Sequence, residues 1–109
     1  MTVIRMYVSR PFVFADREEM NKVDTIEADI ARHFGGFTVS PQARGVWIGP
    51  DGVRHVDVVD VYDIMVDDTT STLVMNEFAR RFAKVYGQEC IPYSIMRSEN
   101  HFINLSEEE

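Results

Sequence analysis

One aspartate stands where an alternating pattern asks for an apolar side chain. Val56, Val58, Asp60, Tyr62, Ile64 and Val66 share one face of a single run, and Asp60 interrupts it. A carboxylate on a buried face is paired, hydrogen-bonded or protonated, because a lone desolvated charge is expensive. Two readings stay open for Asp60. It is a structural acceptor for Arg5, Tyr7 or a backbone group across a sheet, or it is an acid that binds a ligand in a cleft. The other face of the run carries His55 and Asp57, about 7 Å apart by the two-residue strand repeat. Such a pair can hold a metal or form a histidine–carboxylate hydrogen bond. With no third ligand at a zinc-like spacing the competing reading is a solvated strand face, and no metal site is assigned. Trp47 and Tyr62 offer flat rings that can stack on an adenine-like base or fill a core.

The remaining chemistry-bearing types are sparse. Cys90 is the only cysteine, so no internal disulfide forms and a reducing compartment is expected. Its expected role is that of a small hydrophobe at a strand start. His33 and His101 are far from His55 in sequence. The chain has no Walker loop, no dinucleotide-binding glycine fingerprint and no nucleophile elbow.

The elements that position these residues follow from periodicity. Thr2 to Ser9 alternates Ile4, Met6 and Val8 on one face and reads as a strand. Asp16 with Glu19 forms a capping box ahead of Met20, Val23, Ile26 or Glu27, Ile30 and Phe34, a helical stripe stopped by Gly35-Gly36. A second strand is expected from Phe37 to Ser40, interrupted by Pro41 to Arg44 and resumed at Val46-Trp47-Ile48. Gly49-Pro50-Asp51-Gly52 is a turn, and Val53 to Val66 is one long strand with apolar residues on both faces. Asp67 to Ser71 caps a second helix bearing Val74, Phe78, Phe82 and Val85, ended by Gly87. Cys90 to Met96 is a strand whose Pro92 confines it to an edge, and Phe102 to Leu105 is a short extra one. Strand, helix, strand, strand, helix, strand is the order of two interlocked right-handed βαβ units. The expected class is α+β, a ferredoxin-like βαββαβ sandwich with an antiparallel sheet and a C-terminal extra strand.

Composition bounds the rest. The 109 residues suit one domain over 1–105, followed by an acidic tail at 106–109. A net charge of −7 argues against nucleic acid as a partner, since phosphate binding needs surplus Lys and Arg. It permits a small cationic ligand, a basic partner protein, or solubility alone. No run reaches membrane-spanning length and no signal pattern leads the chain, so a cytoplasmic setting in a bacterium or infected cell is expected. The double-sided long strand points to a homo-oligomer.

Gly35-Gly36-Phe37-Thr38, Gly45-Val46-Trp47, Asp57, and a helix running into Tyr86-Gly87-Gln88-Glu89-Cys90-Ile91 form a pattern. Over about Gly35 to Ile95 it resembles small trimer-forming proteins of the PII-like kind, and among them phage S-adenosylmethionine lyases. The resemblance implies a trimer with ligand clefts between subunits. It puts Trp47 where the lyases carry a tyrosine and Asp57 near their glutamate, so both residue types differ from that pair. On this reading Asp57 is the catalytic acid, and Trp47, Asp60, Tyr62 and His55 bind a cationic adenosyl ligand. The products are methylthioadenosine and homoserine lactone. No cofactor is implied, because the substrate's own carboxylate displaces the sulfonium once the protein folds it for attack. The alternative is a non-enzymatic, acidic interaction protein, such as a phage inhibitor of a host factor.

Overall fold

A computed structural model describes residues 1–9, 17–89, 91–97, 99, 101 and 103. Strands and helices alternate as β1 (Thr2–Ser9), α1 (Arg17–Phe34), β2 (Thr38–Ile48), β3 (Arg54–Val66), α2 (Thr72–Tyr86) and β4 (Tyr93–Arg97). The sheet order is β2-β3-β1-β4, and every neighbouring pair is antiparallel. Each helix therefore links two parallel strands separated by a third, which is the ferredoxin-like βαββαβ arrangement expected from the sequence.

Both helices cover one face of the sheet. Ile4, Met6 and Val8 of β1 meet Tyr62, Ile64 and Val66 of β3. Val23, Ile26 and Ile30 of α1 lie above them with Met75, Phe78, Phe82 and Tyr86 of α2. These side chains are spaced at two residues in the strands and three or four in the helices, so each element turns a single apolar face inward. Burying each large one contributes about 1.5–3 kcal/mol. α2 is capped in front by Ser71, whose side chain accepts the Leu73 N–H, and behind by left-handed Gly87, whose N–H returns to the Ala83 carbonyl. α1 closes on Gly35, whose N–H donates to the Ala31 carbonyl at 2.8 Å.

Three sequence expectations need correction. β2 is not broken at Pro41–Arg44; it runs through, with a bulge between Ser40 and Ala43 that sets Pro41 and Gln42 against Asp60. The Val56–Val66 face of β3 is buried only from Asp60 onward, while Val56 and Val58 are 51% and 37% exposed. The cause is length, because β2 and β3 run on past the end of the helical layer. Their outer part is a two-stranded arm (43–48 and 54–59), and the molecule extends 57 × 35 × 29 Å. β4 begins at Tyr93 rather than Cys90. Pro92 precedes it on the sheet edge, its carbonyl accepting the Tyr7 N–H at 3.0 Å. Asp16, the Glu19 side chain, Cys90, the acidic tail and all but Ile103 of the expected extra strand lie outside the described residues.

Candidate functional site

The arm begins at the bulge, and Asp60 sits beneath it. Its residue is 5% exposed, and its two carboxylate oxygens face different elements. Oδ1 accepts the backbone N–H of Gln42 at 2.9 Å, and Oδ2 accepts the Tyr86 hydroxyl at 3.4 Å. Of the partners expected from sequence, the backbone group across the sheet is the one found. Arg5 instead forks onto Asp63, with contacts of 2.7 and 3.0 Å. Gln42 adopts φ +57°, a left-handed conformation uncommon for a side chain of its size.

Tyr62 neighbours Asp60 on the same face and is 1% exposed. Its ring packs between Phe37 and Phe82, and its hydroxyl donates to Glu27 Oε1 at 3.2 Å. Burial pushes the Tyr62 phenol well above its ordinary range, and Tyr86, Glu27 and Asp60 push the same way. Burial also raises the Glu27 carboxyl, against the Tyr62 hydrogen bond, which lowers it. Four polar groups thus share the space between sheet and helices, and no buried side-chain polar atom among the described residues lacks a partner.

Trp47, His55 and Asp57 lie on the opposite, helix-free face. Trp47 pairs with His55 across the arm, and the rings stack at 5.1 Å between centroids and 14° between planes. Asp57 accepts the Ser9 hydroxyl at 3.2 Å, so its partner is a β1 side chain and not His55. Gly45 opposes Asp57; a Cβ there would stand 3.1 Å from Val59 Cγ2, which explains the glycine. The five residues singled out from the sequence therefore form two groups separated by the sheet. Trp47, His55 and Asp57 are on one side, Asp60 and Tyr62 on the other. No group of three His, Cys, Asp or Glu that could hold a metal occurs among the described residues.

The helix-side face of the arm was legible only in part. Val46 pairs with Val56, Arg44 with Val58 and Ile48 with Arg54, which puts all six side chains on one surface. Ile48 is 63% exposed, Val46 and Val56 about half. Arg5, Arg32, Arg80, Arg81 and Arg97 each lie within ion-pair distance of a carboxylate. Arg44 and Arg54 have no such partner among the described residues. Sequence reasoning missed Glu27 and Tyr86 as partners of Tyr62 and Asp60. The available signal was Glu27 itself, an acid at a position sharing the apolar stripe of α1.

No protein-family model and no curated protein matches the chain. Solved structures do. The divalent cation tolerance protein CutA1 of Thermus thermophilus superposes with a TM-score of 0.59 at 10% identity, covering 94% of this chain and 88% of that one. CutA1 of Oryza sativa gives 0.55 at 13%, over 97% and 86%. A phage S-adenosylmethionine lyase, bound to S-methyl-5'-thioadenosine, gives 0.53 at 17%, over 87% and 79%. At these identities the likeness shows a shared ferredoxin-like fold.

Proposed function

We propose that this chain is a non-enzymatic interaction protein that acts as a homo-oligomer and uses its arm as a contact surface. The observation that carries this is the arm's helix-side face, where Val46, Ile48 and Val56 are about half exposed or more beside Arg44 and Arg54, which have no carboxylate partner among the described residues. Exposed apolar surface of this kind marks association sites. Two exposed arm arginines on a chain of net charge −7 favour an acidic partner surface. The helix-free face adds Tyr7 and Met65, each 37% exposed, as area for contact between copies. Trimer formation follows the expectation from sequence, and a host protein in an infected cell is the further partner that the phage resemblance suggests. No described helix is long and apolar enough to cross a membrane. The test is light scattering across a concentration series of the intact chain and of the Val56→Glu/Ile48→Glu variant. The expected result is an oligomer, trimer preferred, that the variant dissociates. A monomer at every micromolar concentration removes the self-association half of the proposal.

A second reading rests on Trp47. Trp47 is 47% exposed with His55 stacked on its ring, which leaves it open to stacking on a flat ligand. With Asp57 on the same face, a second copy laid over it would form a cleft suited to a cationic adenosyl ligand. Such a site binds S-adenosylmethionine, with Asp57 as the acid near the sulfonium; lyase activity would release methylthioadenosine, which chromatography detects directly.

A further inference from the structure

We infer that Asp60 is a positioning residue that aims the arm, by fastening the β2 bulge to the last turn of α2. The inference rests on the arm being the contact surface proposed above and names the group that holds it in place. The sheet changes character at this residue. Below it, Tyr62, Ile64 and Val66 are buried under the helices; above it, Val58 and Val56 emerge. A bulge at such a point bends the strand and increases its twist, so its register sets the direction of everything beyond it. Here the two β2 residues that oppose the single residue Asp60 are Pro41 and Gln42, and Pro41 offers no N–H to hold them. The Gln42 N–H is instead held by Asp60 Oδ1, inside the left-handed conformation at φ +57°.

The second oxygen reaches a different layer. Oδ2 meets the Tyr86 hydroxyl in the final turn of α2, a residue itself 5% exposed. One carboxylate therefore joins β2, β3 and α2 where the arm leaves the helices. The Val59 to Ala43 and Val61 to Ser40 pairs flank it, so a bulge that slipped by one residue would turn each outer β2 side chain to the opposite face. Arg44, Val46 and Ile48 would then leave the surface they share with Val56 and Val58. Burial of an acid is expensive, and a hydrophobic residue here would pack without that cost. What the carboxylate supplies is an acceptor for two donors that no apolar side chain could satisfy.

The test measures arm orientation in the free, intact chain, whatever it binds. Residual dipolar couplings for amides 44–48 and 54–58 are compared with those of α1 and α2, together with hydrogen exchange at the Gln42 amide. Wild type is expected to fit a single alignment, with Gln42 protected. Asp60→Ala is expected to need a separate alignment for the arm and to speed Gln42 exchange roughly tenfold or more, since a charge-assisted bond is lost. Asp60→Asn, which keeps an acceptor for Gln42, is expected to restore the single alignment. Tyr86→Phe is the variant to use if Asp60→Ala does not fold; it is expected to loosen the arm while leaving Gln42 protected. Ile30→Val, a buried α1 change of comparable thermal cost, controls for general destabilisation and is expected to leave the arm fixed. An arm that keeps its alignment in Asp60→Ala and Tyr86→Phe, or loses it equally in Ile30→Val, overturns the inference. A monomeric wild type with a loosened Asp60→Ala arm leaves the inference standing and removes only the contact function.

Discussion

The Tyr62 hydroxyl donates to Glu27 Oε1 at 3.2 Å, joining the centre of the sheet to a carboxylate on an otherwise apolar helical stripe. Burial raises the Glu27 pKa above its ordinary value, first of all by desolvation. Between the ordinary value near 4.5 and the raised one, the folded chain holds a proton that the unfolded chain has released. Stability from this group therefore falls as pH rises through that window and stays lower above it. Glu27→Gln keeps the acceptor and removes the charge. It is expected to raise Tm at neutral pH, with the gain disappearing below about pH 4.5. Thermal melts of both chains across pH check this; a lower Tm for the variant at neutral pH would show the charge to be net favourable.

Asp68 has the opposite sign. The Thr2 hydroxyl donates to it at 2.6 Å and Arg97 approaches at 3.1 Å, and the Thr2 bond leads in lowering its pKa below 3.8. A depressed acid contributes stability that is complete above its unfolded value and is lost as pH falls through the folded one. Asp68→Asn is therefore expected to lower Tm at neutral pH. The two melting curves should converge under acid conditions below pH 3.8. A difference that persists there would mean the asparagine disrupts packing between β1 and β4 and not charge.

The order of elements was readable because each periodic run agreed with its own terminator. The α1 stripe stops at Gly35, and α2 lies between its caps Ser71 and Gly87. Pro92 placed β4 on an edge independently of periodicity, and β4 is an edge strand. What sequence could not show was the length of the helical layer relative to the hairpin. Alternation tells which residues share a face, not whether a helix reaches far enough to cover them, so Val56 and Val58 read as core. Pro41 read as a break because its missing N–H is a local fact. The Asp60 carboxylate that holds the bulge lies 18 residues away from Gln42. Burial of Asp60 was legible from its neighbours on the strand. Its second partner, Tyr86, came from the far end of another helix, and no spacing rule links the two.

Gln42 separates backbone strain from hydrogen bonding at the bulge. Its φ of +57° costs a side chain with a Cβ about 1–2 kcal/mol, and more for a β-branched one. Gln42→Gly keeps the N–H that Asp60 accepts, and relief of strain offsets the extra freedom of the unfolded glycine. Its stability by urea denaturation is expected within about 1 kcal/mol of wild type, on the stable side. Gln42→Val is expected to lose about 1–2 kcal/mol. Equal losses in both variants would mean that the glutamine side chain, and not the backbone, matters at this position.

The last prediction addresses the adenosyl reading through the only tryptophan. Trp47 stacks on His55 at 5.1 Å, and Asp57 lies on the same helix-free face, held by Ser9 at 3.2 Å. A flat ligand seated on Trp47 is expected to shift or quench its emission, with no second tryptophan to confuse the signal. Trp47→Ala should weaken binding by loss of ring contact, of the order of 1 kcal/mol. Asp57→Asn is nearly isosteric but uncharged. It is expected to weaken S-adenosylmethionine more than methylthioadenosine, because only the first carries a sulfonium while both carry the same adenine and ribose. The ratio of the two affinities, measured in wild type and variant, therefore isolates the charge of Asp57 from everything else in the site. If millimolar S-adenosylmethionine changes neither the emission nor the melting temperature of the assembled protein, Trp47 is no nucleoside platform. Its exposure then makes the helix-free face of the arm a second contact surface for another protein, opposite the face that carries Val46 and Ile48.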